Sequence, residues 1–138
     1  MKKHLAVSLF LLSVLLSEAQ VPVSKEPRHR PVFENEKVRL LNVLLPAGDT
    51  TQYHLHSTPS LFIVLSKTIT GSQLINQQPV IGSASTPGNM WFENLGAPHS
   101  KIHRVWNTDT IVFHVVDIEL LSNDSGLYKN RLLAKISS

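Results

Sequence analysis

The chain has 138 residues, 42% hydrophobic and 17% charged, with a formal net charge of +3 and no cysteine. Disulfide scaffolds and cysteine-ligated metal sites are therefore excluded. Part of the small positive charge sits on Lys2 and Lys3, which leaves no nucleic-acid footprint.

The N-terminus reads MKKHLAVSLFLLSVLLSEAQ. Two lysines precede the apolar run Leu5 to Leu16, and Ser17 and Ala19 put small residues where a leader peptidase cuts, the layout of a secretory signal peptide. The run is too short to cross a bilayer core, which takes about 20 residues. Residues 1–19 are therefore expected to be a signal peptide, and the protein to be exported, either periplasmic or secreted. No later run is long enough for a membrane span.

Residues 20–31, QVPVSKEPRHRP, carry three prolines and read as an extended lead-in, because proline blocks helix and restricts the residue before it. His29 in this segment, like His99 further on, is expected to be exposed. From residue 32 to 121 the chain is a series of short apolar or alternating runs. KVRLLNVLLPAG ends at Pro46 and Gly48; TQYHLH alternates; SLFIVLS is a buried run; SQLINQQ, NMWFEN and KIHRVWN follow; TIVFHVVDIEL is the longest. Runs rich in Val, Ile and aromatics, bounded by Gly, Pro, Asn and Asp, are strand signals, and their even spacing without helical stretches predicts a sandwich or barrel. Within the last run Val112, His114, Val116, Ile118 and Leu120 form an apolar alternation, which predicts that His114 points inward. Residues 122–138 have Leu127, Leu132, Leu133 and Ile136 at loosely helical spacing, predicting a short C-terminal helix or tail.

The chemistry concentrates on histidines. Alternate residues of a strand share a face, so His54 and His56 project together, along with Gln52. A third imidazole, His103, lies in APHSKIHRVWN, on one strand face with Val105 and Asn107. Imidazole nitrogen suits Fe, Mn, Zn, Ni and Cu as divalent ions.

These two segments resemble the paired signatures of the cupin superfamily. Gly48, His54 and His56 fall on the register of its first motif, and Pro98, His103 and Asn107 on that of its second; the resemblance covers roughly residues 27–121. It implies a small antiparallel jelly-roll barrel, all-β, with the histidines at its mouth. It also implies His54, His56 and His103 as ligands of a divalent transition metal. The first motif's glutamate would fall at Ser60 or Leu61, neither of which can replace a carboxylate, and Glu93 is a further candidate. Asn107, Ser60 and Trp91 are the expected pocket residues, and His114 and Gln52 the candidates for proton transfer. Two functions follow: a metal-dependent oxygenase or isomerase acting on a small molecule, or a non-catalytic barrel that binds a small molecule or metal. Barrels of this type pair through strand edges, so a homodimer is expected.

Overall fold

The computed structural model describes residues 20–122. The expected signal peptide, and the expected terminal helix or tail from residue 123 onward, lie outside the described residues. Ten strands follow in order: β1 (Val21–Pro22), β2 (His29–Glu34), β3 (Val38–Leu45), β4 (His54–His56), β5 (Ser60–Val64), β6 (Thr70–Leu74), β7 (Val80–Ile81), β8 (Met90–Glu93), β9 (Lys101–Asn107) and β10 (Phe113–Leu120). One 3-10 turn, Val23–Lys25, separates β1 from β2.

The strands form two five-stranded sheets, ordered β1-β4-β9-β6-β7 and β2-β3-β10-β5-β8. All pairings are antiparallel except β1 with β4. Strands adjacent in sequence largely alternate between or skip across the sheets, so the fold is built from long-range pairing: the all-β jelly roll expected from the spacing of the runs. Turn chemistry agrees with the local geometry. Asp49 N–H donates to the Pro46 carbonyl at 3.1 Å, closing a turn whose third residue, Gly48, has φ 73°, a conformation that favours glycine. At Gly71 the constraint is space, since a Cβ there would fall inside the Trp106 ring of the neighbouring strand.

Period-2 alternation decides what lies inside. Leu41, Val43 and Leu45 of β3 face inward, as do Phe62 and Val64 of β5, and Val43, Phe62, Val64, Leu95 and Val115 form the apolar core. β10 corrects the expected orientation. Its inward face is Phe113, Val115, Asp117 and Glu119, so His114 lies on the outer side. A one-residue change of parity moves every side chain of a strand to the other face. Here the inward acid Glu119 is stabilised by Arg39, whose Nη1 donates to it at 2.9 Å from the neighbouring strand. The apolar set goes outside because this sheet's outer face is itself apolar. Phe33, Leu40, Ile118, Leu61 and Phe92 stand opposite one another in a row across five strands.

A buried histidine cluster

The interior has two ends. One is the apolar core; at the other, imidazoles from three strands meet. His54 and His56 both face inward from β4, 0% and 2% exposed. On the adjacent β9, His103 pairs directly with His54 and Lys101 with His56. The fourth ring is His29, at the start of β2 in the opposite sheet, and its burial overturns the exposure expected from its proline-rich surroundings. Ring centroids are 4.4 Å apart for His29 and His54, 4.6 Å for His54 and His103, and 5.0 Å for His56 with either His54 or His103. His29, His54 and His56 each offer a nitrogen within 4.8 Å of the others. Nε2 of His103 and Nε2 of His56 are 3.2 Å apart.

Hydrogen bonds fix how the rings are oriented. Residues 26–29 form a turn in which His29 N–H donates to the Glu26 carbonyl. The Glu26 carboxylate then accepts from His29 Nδ1 at 2.8 Å, from Arg28 N–H at 2.7 Å and from Gln52 N–H at 3.2 Å. Burial alone would raise the Glu26 carboxyl, but these donors outweigh it and hold its pKa below the ordinary value. His54 Nδ1 donates to the Gln52 carbonyl at 2.8 Å. With its Nδ1 proton engaged, His54 presents a bare Nε2 to the interior, buried with no hydrogen-bond partner, and the bond from His29 Nδ1 to Glu26 likewise turns the His29 Nε2 inward. Donation from Nδ1 to a carboxylate or carbonyl is how metal-binding histidines are commonly oriented.

Burial, reinforced by the neighbouring rings and Lys101, keeps His54, His56 and His103 neutral. It pushes His54 down to about 4 and His103 down to about 2, and lowers His56 further. A neutral imidazole is the form that binds a metal. Two nitrogens held about 2.1 Å from one ion are about 3.0–3.4 Å apart for ordinary octahedral or tetrahedral angles. The 3.2 Å between His56 and His103 matches that span. The donor set, its neutrality and the bare His54 nitrogen all fit a divalent transition metal.

Beside the rings is a cavity of about 330 Å³, at the lower end of the range for small-molecule pockets. Its walls are mainly apolar, including Val43, Val64, Phe113 and Val115, and Trp91 stacks on Phe62 with centroids 5.0 Å apart. Lys101 and Glu93 also line it, joined by an ion pair of 2.5 Å, and Trp91 Nε1 donates to the same carboxylate at 2.9 Å. Burial would raise Glu93, but Lys101 and Trp91 outweigh it and hold its pKa low. Glu93 is therefore tied to Lys101 in place of supplying the missing ligand.

Other expected site residues lie elsewhere. Gln52 is exposed: the alternation of β4 begins only at His54, so its side chain does not share the histidine face, and it serves the site through its backbone. His114 donates from Nε2 to Asn42 Oδ1 at 2.7 Å on the outer side of its sheet, away from the cavity. Asn107 is buried but is not a cavity wall. Its amide donates to the carbonyls of Leu45 and Ile111 and accepts from Asp109 N–H, tying β9 to the opposite sheet. Ser60 is fully buried and is not a cavity wall, its hydroxyl donating to the Thr58 carbonyl. Of the three expected pocket residues, Trp91 lines the cavity.

Three residues of the cluster and its surroundings were not expected there from the sequence: His29, Glu26 and Asp117. Asp117 is fully buried, with Oδ2 3.7 Å from His56 Nδ1. Burial, with the Glu119 charge adding to it and Ser60 opposing it, pushes its pKa up to about 7. The spacing E-x-x-H at 26–29 is a weak signal that a turn could exploit. For Asp117 no local signal exists, since an acid two residues from another acid reads as a solvent face.

The sequence matches no family model and no curated protein. Solved structures are similar in fold. A cupin domain from Bordetella pertussis Tohama I superposes with a TM-score of 0.59 at 24% identity, over 71% of this chain and 98% of that one. An RmlC-like cupin family protein from Methanocaldococcus jannaschii, described as a double-stranded β-helix, gives 0.51 at 15% identity over 67% and 77%. A double-stranded β-helix protein from Klebsiella pneumoniae gives 0.51 at 15% over 74% and 83%. The chain thus has the double-stranded β-helix fold of cupins, with a cluster of buried histidines able to hold a metal ion.

Proposed function

We propose that this protein binds a divalent transition metal through His54, His56 and His103, with His29 as a fourth donor, and takes a small organic molecule in the adjoining cavity. The observation that carries this reading is the bare, buried His54 Nε2 beside a His56–His103 nitrogen pair at ligand spacing. Buried polar atoms normally have partners, and a bare imidazole nitrogen buried among neighbouring rings without an ion would be costly. Fe, Mn, Zn, Ni and Cu all suit the donor set. Imidazole donors supply no negative charge, so the ion's charge favours an anionic or oxygen-rich ligand. Bound there, the metal would act as a Lewis acid or bind a chelating substrate, the chemistry of an oxygenase or isomerase. The N-terminal segment supports a location outside the cytoplasm.

A non-catalytic binding module is the second reading, and one observation favours it. Apart from the histidines, the titratable residues lining the cavity are Lys101 and Glu93, which neutralise each other. No free acid or base among the described lining residues stands ready for proton transfer.

Elemental analysis of protein purified without added metal tests the metal. About one transition-metal ion per chain is expected, and His54→Ala or His103→Ala should lose most of it. A metal-free wild type that also takes up no Zn²⁺, Mn²⁺ or Fe²⁺ would overturn the reading. Oxygen uptake and product formation with a panel of small acids and phenols separate the two functions; saturable binding without turnover favours the module.

A further inference from the structure

Asp117 is a fully buried carboxylate; the Ser60 hydroxyl lies beside it but donates to the Thr58 carbonyl at 3.2 Å, which leaves neither carboxylate oxygen with a hydrogen bond of ordinary geometry. Such a group costs several kcal/mol unless something compensates it. Its nearest unbonded counterpart is Nδ1 of His56, also buried and without a partner, 3.7 Å from Oδ2. The other rings show what this pairing would accomplish. His29 Nδ1 is engaged by the Glu26 carboxylate and His54 Nδ1 by the Gln52 carbonyl, so both turn Nε2 inward. For His56, Nε2 already faces His103, and the far side of the ring faces Asp117.

We propose that Asp117 is the positioning carboxylate of His56: it accepts the Nδ1 proton, fixes the tautomer and leaves Nε2 as the metal donor. This rests on the metal reading above. It also assigns a place to the acid that the first cupin motif would put on β5. The positions that motif offers are Ser60, which is buried, and Leu61; the carboxylate comes instead from the adjacent β10, where Asp117 Oδ2 lies 3.7 Å from the outer nitrogen of His56. Moving from 3.7 Å to an ordinary hydrogen bond needs a shift of about 1 Å, within the reach of a side-chain adjustment. In the metal-free protein the same arrangement makes His103 Nε2–H the donor to His56 Nε2, which accounts for their 3.2 Å contact.

Two measurements test it. Zn²⁺ affinity by chelator competition should fall about 10–100-fold in Asp117→Leu, the usual loss when such a partner is removed. Asp117→Asn, which keeps a weaker acceptor, should lose at least threefold. Independently of any metal, long-range ¹H–¹⁵N spectra of the metal-free wild type should show His56 protonated at Nδ1 and His103 at Nε2, with the His56 pattern disturbed in Asp117→Asn. Should Asp117→Leu fail to fold, the Asn variant and the spectra decide. A Zn²⁺ affinity unchanged within twofold in Asp117→Asn, or His56 protonated at Nε2 in the wild type, would overturn the proposal. A wild type that binds no metal overturns the metal reading instead, and the spectra still judge the Asp117–His56 contact.

Discussion

His29 and His54 belong to opposite sheets, yet their ring centroids are 4.4 Å apart, the shortest ring separation in the cluster. One strand opens the second sheet and the other lies within the first, so an ion shared by these rings would cross-link the two layers.

Metal binding should therefore stabilise the fold as a whole. An ion that binds only the native state adds RT ln(1 + [L]/Kd), about 2.7 kcal/mol at a hundredfold excess over Kd. For a domain of this size that raises Tm by roughly 10–20 °C. Thermal scans with and without Zn²⁺ check this, and in His54→Ala the shift should largely disappear.

Acid should destabilise the metal-free protein. Unfolded histidine takes up a proton near 6.5, whereas folded His54 resists to about 4, His103 to about 2 and His56 lower. Below pH 6.5 the unfolded chain thus binds more protons, and stability falls with pH. Asp117 acts in the opposite sense. Its folded pKa of about 7 lies above the ordinary 3.8, so its destabilising charge is relieved as pH drops through that window. Three histidines against one aspartate leave about two protons taken up on unfolding, on the order of 2–3 kcal/mol per pH unit between pH 6 and 5. Urea unfolding at pH 7.5, 6 and 5 measures it; a flat profile would mean the rings are not buried neutral.

Glu26 orients His29 while also capping two backbone N–H groups. Glu26→Gln should weaken metal affinity about 10-fold or more while preserving one ion per chain at saturation. It should also cost about 1–3 kcal/mol of stability, because charge-assisted hydrogen bonds are replaced by neutral ones. Chelator competition and chemical denaturation read the two effects separately.

Asn107 and His114 should divide differently. Asn107→Ala leaves the Leu45 and Ile111 carbonyls without their amide donors and should lose about 2–4 kcal/mol, with metal stoichiometry unchanged. His114→Ala removes an outer-face hydrogen bond to Asn42 and should leave both metal load and ligand affinity at the wild-type level. Metal analysis beside denaturation of both variants tests whether either residue belongs to the site.

Particular residues show what could be read in advance. His54 and His56 were legible because a two-residue spacing on a strand puts both side chains on one face, whatever the rest of the fold does. The strand character of residues 32–121 was legible for a similar reason, since composition and turn residues act locally. Gln52 has the same spacing but lies before the strand begins, and the alternation does not extend to it. On β10 the apolar residues made the wrong face look like the core. The inward choice depends on Arg39 receiving Glu119 across 80 positions of sequence.

By itself, then, the sequence determined an all-β chain with His54 and His56 on one strand face, because side-chain periodicity and turn chemistry are set by near neighbours; that His103 joins them was implied by the cupin resemblance alone. Only the tertiary structure decided that His29, with Glu26, crosses from the other sheet to complete the cluster, and that Asp117 lies behind His56. Those contacts depend on strand parity and sheet pairing, which are settled by partners far away along the chain.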